Sequence, residues 1–558
     1  MHLRSRLALA AIAALAVSAC SDEVTTPTPA ARAPDEAALS AAAQADPAMQ
    51  MRAGLRGRPD DAFLAEVREG GDIVTVGFRP EGSERGVSAR GASLVPRAAA
   101  LQHRAYVERL AQEVIFRFDA IPAITVRLKD PADALRLRKL PWVDYVAPNT
   151  RLLTPDQAEG TLSPSDAGCA PLSSPQTLGW NVTRIRADQV WAQHGVRGSL
   201  GELYMLDDAI DVDGSLTEFT PNNNGSSVGV SGVPYNQYTG SHGTLVLSVA
   251  VARDNGVGMI GVAPSATYNY ANVSTQGATT GWETASAWAI NANPAGTKVI
   301  TMSLSTKITS SSPPSSFTAL LDAIRNAYYQ RGQIIVASTG NQEASNLYAY
   351  PARWSEVVGV GGSNFSDGWV HNNYAPGNVE VAAPSVSVPV VCKNGDMVGT
   401  NSGTSFATPA VAAAFMLLHE KHPYESNAQL RARLRNTAVP MGNTQKSGSG
   451  RIDVLAAINY VHPPVVDLVG PGYITQAGYY TWDAMASGGN GSYTYQWYWT
   501  NDNVNWTPMG NGSSLSMYIN YNDYFTLRVD VTSNGVTGTD SHPVLVEWIN
   551  NCDPYYYC

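Results

Sequence analysis

Ser405 lies in the run Asn401-Ser402-Gly403-Thr404-Ser405-Phe406-Ala407-Thr408-Pro409, which passes directly into the apolar stretch AVAAAFMLL. A serine at a tight Gly-Thr turn opening a buried helix holds its hydroxyl at the helix N-terminus, where backbone N–H groups can stabilise a nearby oxyanion. Such a hydroxyl is a weak nucleophile at neutral pH, so it needs a base and a group to hold that base. Gly240-Ser241-His242-Gly243-Thr244 offers an imidazole at a second helix start, with Gly243 leaving room for close approach. The orienting carboxylate belongs at the end of a first strand, where Glu202-Leu203-Tyr204-Met205-Leu206 runs into Asp207 and Asp208. Together these side chains could perform nucleophilic acyl transfer. Taken singly, each has a plainer reading as a helix cap, a surface histidine or a strand-end carboxylate.

The surrounding elements must bring these positions together. From Glu202 onward, strand-like and helix-like segments alternate: Glu202 to Leu206, a helix after His242, Thr267 to Val273, a helix around Trp282 to Asn291, and Val299 to Leu304. Helix Phe317 to Arg331, strands Gln333 to Ser338 and Val357 to Gly361, and a long apolar helix from Ser405 to His419 follow. Such alternation predicts an α/β fold: a mostly parallel sheet with helices on both faces and a site at the carboxyl ends of its strands.

The run around Ser405 resembles the G-T-S-x-A-x-P nucleophile motif of subtilases, the subtilisin-like serine proteases, with Phe406 where Met is usual. Gly240 to Thr244 resembles their H-G-T motif. Aligned through Ile210 and Asp211, the first strand end resembles D-[ST]-G-[IV]-D, which makes Asp207 the triad carboxylate. Asp208 then replaces Ser or Thr and Ala209 replaces Gly, and an extra carboxylate there could perturb the imidazolium. The chain order Asp, His, Ser is that of the subtilisins. QIIVASTGN, residues 333–341, is similar to the strand that ends in the family's oxyanion asparagine, which makes Asn341, after Gly340, the oxyanion donor. Ser303-Leu304-Ser305 resembles the S-L-G edge of the primary specificity pocket, where substrate backbone adds as a strand. Ser305 in place of Gly narrows the pocket or shifts the backbone. Gly340 is counted with this substrate-binding group. The resemblance spans roughly Asp72 to Asn459 and implies a serine endopeptidase acting on proteins or peptides, with activity falling as pH drops through about 6 to 7, where histidine protonates. No cofactor is required for that chemistry. Structural calcium is common in the family, and Asp211-Val212-Asp213-Gly214 is suggestive but assigns no metal site.

At 558 residues, several domains are expected. With 44% hydrophobic and 15% charged residues the chain can bury cores, and a net charge of −10 argues against nucleic acid as a partner. Arg4 and Arg6 precede an apolar stretch from Leu7 to Val17, read as a signal peptide over residues 1–20. Val17-Ser18-Ala19-Cys20 resembles a bacterial lipobox, which makes Cys20 a lipidation site; cleavage as an ordinary signal peptide near Ala19 is the alternative. Residues 21–70 read as a flexible tether. Residues 71–153 follow a βαββαβ pattern that resembles the subtilase inhibitory propeptide, an intramolecular partner of the catalytic domain at 170–462. Residues 463–549 carry about seven short alternating segments and suggest an all-β, Ig-like sandwich, followed by a cysteine-containing tail at 550–558. Setting Cys20 aside leaves Cys169, Cys392, Cys552 and Cys558, for which three pairings exist. Cys169–Cys392 and Cys552–Cys558 are favoured over free thiols. The expected whole is an exported, self-processing zymogen, tethered by lipid as precursor and extracellular or periplasmic after processing. The rival is a catalytically impaired surface adhesion protein that works through its Ig-like domain.

Overall fold

The computed structural model describes residues 46–79, 98–149, 170–171, 175–208, 210, 218–219, 228–229, 242–273, 280–392, 397–489, 491–521 and 523–547. Cys20, Cys169, Cys552, Cys558, Ala209 and the Asp211–Gly214 loop lie outside them, and so do the signal peptide and most of the tether.

The tether reading is corrected for its last part, which folds into helices α1 (Pro47–Arg56) and α2 (Asp60–Glu69). Asp46 caps α1 by accepting the Ala48 N–H at 2.8 Å, and Pro47 starts the helix where a missing N–H costs nothing. Ala48, Met51 and Leu55 then share one face, each 2% exposed, and Phe63 and Val67 do the same for α2. Strand β1 (Ile73–Phe78), helix α3 (Ala98–Leu110), β2 (Ala111–Arg117), β3 (Ala123–Leu128), α4 (Asp133–Arg138) and β4 (Val143–Pro148) follow. They form the expected βαββαβ unit, an antiparallel sheet in the order β2-β3-β1-β4. Phe63 and Val67 enter its core.

The next unit comprises β5 (Ala170–Pro171), α5 (Trp180–Arg184), α6 (Ala187–His194), β6 (Glu202–Asp207), β7 (Val228–Gly229), α7 (His242–Val251), β8 (Thr267–Asn272), α8 (Trp282–Asn291), β9 (Thr297–Met302), β10 (Thr306–Ile308) and α9 (Thr318–Arg325). It continues through β11 (Ile334–Ser338), β12 (Tyr348–Tyr350), β13 (Val357–Ser363), β14 (Trp369–Val370), β15 (Val381–Pro384), β16 (Val388–Val391), β17 (Met397–Asn401), α10 (Thr404–Lys421), α11 (Asn427–Asn436), α12 (Thr444–Ser447) and α13 (Val454–Asn459). An eight-stranded sheet in the order β14-β13-β11-β9-β6-β8-β7, with β15 beside β13, carries one core on each face. Its ladders are parallel except at β14. Helices α7 and α10 pack on one face, and α8 and α9 on the other. The chain leaves β6 for β8 on one side and returns to β9 on the other. That reversal is the place where open α/β sheets leave a crevice at the strand ends.

A small sheet, β16-β17-β5, sits beside this unit. Cys392, just past β16, is buried and disulfide-bonded, its partner lying outside the described residues. In the same sheet Ala170 pairs with Val398.

The C-terminal region contains β18 (Val465–Val469), β19 (Tyr473–Ile474), β20 (Gly478–Ser487), β21 (Thr494–Thr500), β22 (Thr507–Pro508), β23 (Ser514–Ile519), β24 (Asp523–Ser533) and β25 (Val536–Val546). Two sheets, β18-β20-β23 and β19-β25-β24-β21-β22, share one core. Trp482 and Trp497 are fully buried there, and their indole N–H groups donate to Pro471 O at 3.0 Å and Gly512 O at 2.8 Å, as buried indoles require.

Candidate active site

Asp207 ends β6 at the centre of the large sheet and is 1% exposed. Its Oδ1 lies 2.7 Å from His242 Nδ1, at the first residue of α7, and also accepts the Asp208 N–H at 2.8 Å. Burial disfavours the imidazolium, but the Asp207 carboxylate, bonded to the ring, and the nearby Asp208 charge outweigh it and raise the His242 pKa to about 8. The expectation of an acid limb at 6 to 7 is therefore corrected upward.

Ser405 is the second residue of α10, behind Gly403, whose φ of 134° is a backbone conformation open to glycine alone. The His242 ring stands 6.1 Å, centroid to centroid, from the neighbouring Phe406, so the imidazole lies against the first turn of α10. His242 Nε2 is buried and without a partner, while the Ser405 hydroxyl donates to Ser303 O at 3.3 Å. The nucleophile–base bond is thus unformed in this resting state; such bonds commonly tighten only when substrate arrives.

Three further residues hold the site, in roles that motif matching does not supply. Pro409 lacks the N–H that would bond Ser405 O inside the helix, and the Ser303 hydroxyl takes up that carbonyl at 2.9 Å. Ser303, immediately after β9, thereby fastens the strand to the helix. Asp208, the departure from the family pattern, is buried and accepts the Gly243 N–H through Oδ1 at 2.6 Å, so the paired aspartates hold both the ring and the backbone of the first turn of α7. Burial and the neighbouring Asp207 charge push its own pKa upward. Thr404 donates to Asn341 Oδ1 twice, from its N–H at 2.8 Å and its hydroxyl at 2.9 Å. With Oδ1 so fixed, the Asn341 amide orientation is set and its NH₂ is left for another acceptor.

The remaining expected residues lie at the same strand ends. Gly340 has φ +83°, and a Cβ there would fall 2.5 Å from Asn373 Nδ2. Leu304 is 1% exposed, and Ser305 is fully buried with a hydroxyl that has no partner. The chain continues from Ser305 into β10, which pairs antiparallel with β12, Thr306 opposite Tyr350. Among the described residues no cluster of three or more His, Cys, Asp or Glu side chains could hold a metal. No helix among them is long and apolar enough to cross a membrane.

A sheet whose central strand delivers an aspartate to a histidine, beside a serine on a buried helix, defines a class of hydrolase. The subtilase family model matches residues 202–456. The chain is 30% identical over 353 residues to M-protease of Shouchella clausii (strain KSM-K16), covering 63% of this chain and 83% of that one. It is 32% identical over 285 residues to Subtilisin BL of Lederbergia lenta, covering 50% of this chain and 99% of that one. It is also 34% identical over 288 residues to Subtilisin E of Bacillus subtilis (strain 168), covering 50% of this chain and 71% of that one. The chain belongs to the subtilase family and is a subtilisin-like serine protease.

Proposed function

We propose that the chain is an exported serine endopeptidase made as a self-processing zymogen, with Asp207, His242 and Ser405 as its triad and Asn341 as oxyanion donor. The observation that carries this reading is the 2.7 Å bond from the strand-end carboxylate to His242 Nδ1, which leaves Nε2 unpartnered against the first turn of α10. Ser405 Oγ attacks the scissile carbonyl carbon while His242 Nε2 takes its proton, and Asp207 fixes the Nδ1–H tautomer and stabilises the imidazolium. The new oxyanion meets the Asn341 amide and the Ser405 backbone N–H. Collapse expels the amine with the proton from Nε2, and water, activated by the same imidazole, hydrolyses the acyl ester. Ser303 to Ser305 and Gly340 would border the bound peptide.

The βαββαβ unit serves as the inhibitory propeptide. Its docking supports this: Asn149 Oδ1, just beyond β4, accepts the Gly281 N–H at 2.8 Å at the start of α8, and Asn291 Oδ1, at the other end, accepts the Ala120 N–H at 2.7 Å. Cleavage between about Asn149 and Cys169 would separate the N-terminal part, with lipid on Cys20, from catalytic and Ig-like domains released to the outside. Calcium stays unassigned. Cys169 is the partner we propose for Cys392, since Ala170 already lies in the same small sheet, and Cys552 pairs with Cys558. The adhesion alternative would require an inert Ser405. A fluorophosphonate probe decides: it should label wild type at Ser405, and Ser405→Ala should lose both labelling and casein cleavage, whereas an unlabelled wild type would remove the catalytic reading.

A further inference from the structure

The two helices before the βαββαβ unit are joined to different partners. Phe63 and Val67 of α2 complete the core of that unit. Ala48 and Met51 of α1 instead enter the catalytic domain's core with Phe317, Leu320 and Trp354, while Leu55 packs with Tyr145 and Ala147 of β4. Helix α1 is therefore wedged between the two bodies.

At the centre of the wedge sits Arg52, 8% exposed. Its Nε donates to Asp144 Oδ2 of β4 at 2.6 Å, and its Nη2 donates to both oxygens of Asp322 on α9, at 3.0 and 2.9 Å. The same guanidinium lies 5.3 Å from the Tyr145 ring centroid. Arg56 supplies a second cation to Asp144 at 2.9 Å, so two cations face two carboxylates and the cluster is neutral. The rim repeats the pattern: Arg325 reaches Asp46 at 3.0 Å and Glu356 at 3.0 Å, and Arg58 donates to the Ser315 hydroxyl at 3.0 Å. Because this guanidinium bridges three elements, departure of any one of them leaves a buried charge of the cluster short of a partner, which is costly.

We infer that residues 46–69 are an extension of the inhibitor, a clamp by which Arg52 ties the propeptide to the Ser315–Arg325 face of the catalytic domain after the connecting chain has been cut. The inference rests on the zymogen reading for its role, but the contact can be measured without it. The cut alone would then leave a latent complex, and activity would follow departure or destruction of α1. The face recognised on the catalytic domain lies on the side of the sheet that carries α8 and α9, so the clamp acts by retention and not by filling the site.

The test uses the full chain carrying Ser405→Ala, with a recognition site for a heterologous protease placed between residues 150 and 169. After nicking, the dissociation rate of the N-terminal fragment is measured by dilution and size exclusion. Arg52→Met should raise it by roughly 30-fold or more, the loss typical of truncating one member of a buried interfacial charge pair. Asp46→Ala, which removes the cap of α1 and a rim partner without stranding a charge in the core, should raise it by about 3- to 10-fold. Arg68→Ala, on an exposed position of α2, should leave it unchanged. Should Arg52→Met not fold, Asp46→Ala and hydrogen exchange of the α1 amides in the uncut parent take its place. Rates within twofold of the parent for both variants, or α1 amides exchanging as in a free chain, would overturn the clamp. N-terminal sequencing of the active wild type judges self-processing separately, since absence of a cut near Asn149 removes the zymogen reading while the measured contact stands.

Discussion

Asn341→Asp isolates one hydrogen bond in the proposed transition state. In the resting site Asn341 Oδ1 accepts from the Thr404 N–H at 2.8 Å and the Thr404 hydroxyl at 2.9 Å. Aspartate keeps an acceptor for both and is the same size, so the first turn of α10 should stay in place. It loses the NH₂ donor and sets a carboxylate where negative charge develops. Loss of a single oxyanion donor lowers kcat by roughly 10²- to 10³-fold, about 2.7–4 kcal/mol, a range established on a subtilisin itself. The added charge puts the aspartate variant at the upper end of that range or beyond it. Asn341→Leu makes a poorer control, since it leaves the backbone N–H of the fully buried Thr404 unpaired, at about 1–3 kcal/mol, and its hydroxyl with only the Gly340 carbonyl at 3.2 Å, and so mixes a stability loss into the kinetic one. The assay is kcat and KM on a chromogenic peptide together with thermal unfolding. A large fall in kcat with KM and melting temperature little changed is expected. Normal kcat, or raised KM with normal kcat, would show that Asn341 only shapes the turn.

The other expectations concern charge, crosslinking and release. Because the His242 pKa is raised to about 8, the neutral base grows as pH climbs through that value, and kcat/KM should rise up to and beyond pH 8. The imidazolium–Asp207 pair favours the folded state below the unfolded histidine pKa of about 6.5, and that contribution fades as pH passes 8, so activity and this share of stability move in opposite directions. Asp208→Asn should shift the limb to lower pH while keeping an acceptor for Gly243; an unmoved limb would assign Asp208 to structure alone. Cys392→Ser should free the thiol at Cys169 and cost roughly 3–5 kcal/mol, as closing a long loop predicts; non-reducing peptide maps that show Cys392 joined to another cysteine would refute the pairing. Fractionated cells should hold Ser405→Ala full-length in the membrane pellet and wild-type catalytic fragment in the soluble fraction, and mature enzyme left in the pellet would argue against release by propeptide cleavage.

The residues around Ser405 and His242 were legible because each chemical requirement there is local: a glycine with special backbone angles, a helix start, a run of small apolar side chains. The alternation of elements likewise foretold the parallel sheet. What escaped were effects that depend on a partner distant in sequence. Helix α1 shows only Ala48, Met51 and Leu55 on its buried face, with Arg52 among them, and that arginine makes sense only once Asp144 and Asp322 stand opposite it. The upward shift of His242 comes from the bonded Asp207 carboxylate and the second aspartate that the fold sets beside the ring, which outweigh burial, so the value of an isolated histidine lies below it. Ser303 could be matched to a specificity-pocket edge, yet its bond to Ser405 O follows from a proline four residues beyond Ser405.

That proline sets the rotational phase of α10. The AVAAA stretch of α10, residues 410–414, has small side chains with little surface relief to stop it from turning or sliding against the sheet, and a shift of one ångström at the helix tip would take the Ser405 hydroxyl away from the base. Any other residue at 409 would restore an intrahelical donor competing with Ser303 for the Ser405 carbonyl. With that donor absent, the Ser303 hydroxyl at the end of the neighbouring strand holds the Ser405 carbonyl at 2.9 Å, so the nucleophile's own backbone works as the detent that indexes helix to sheet.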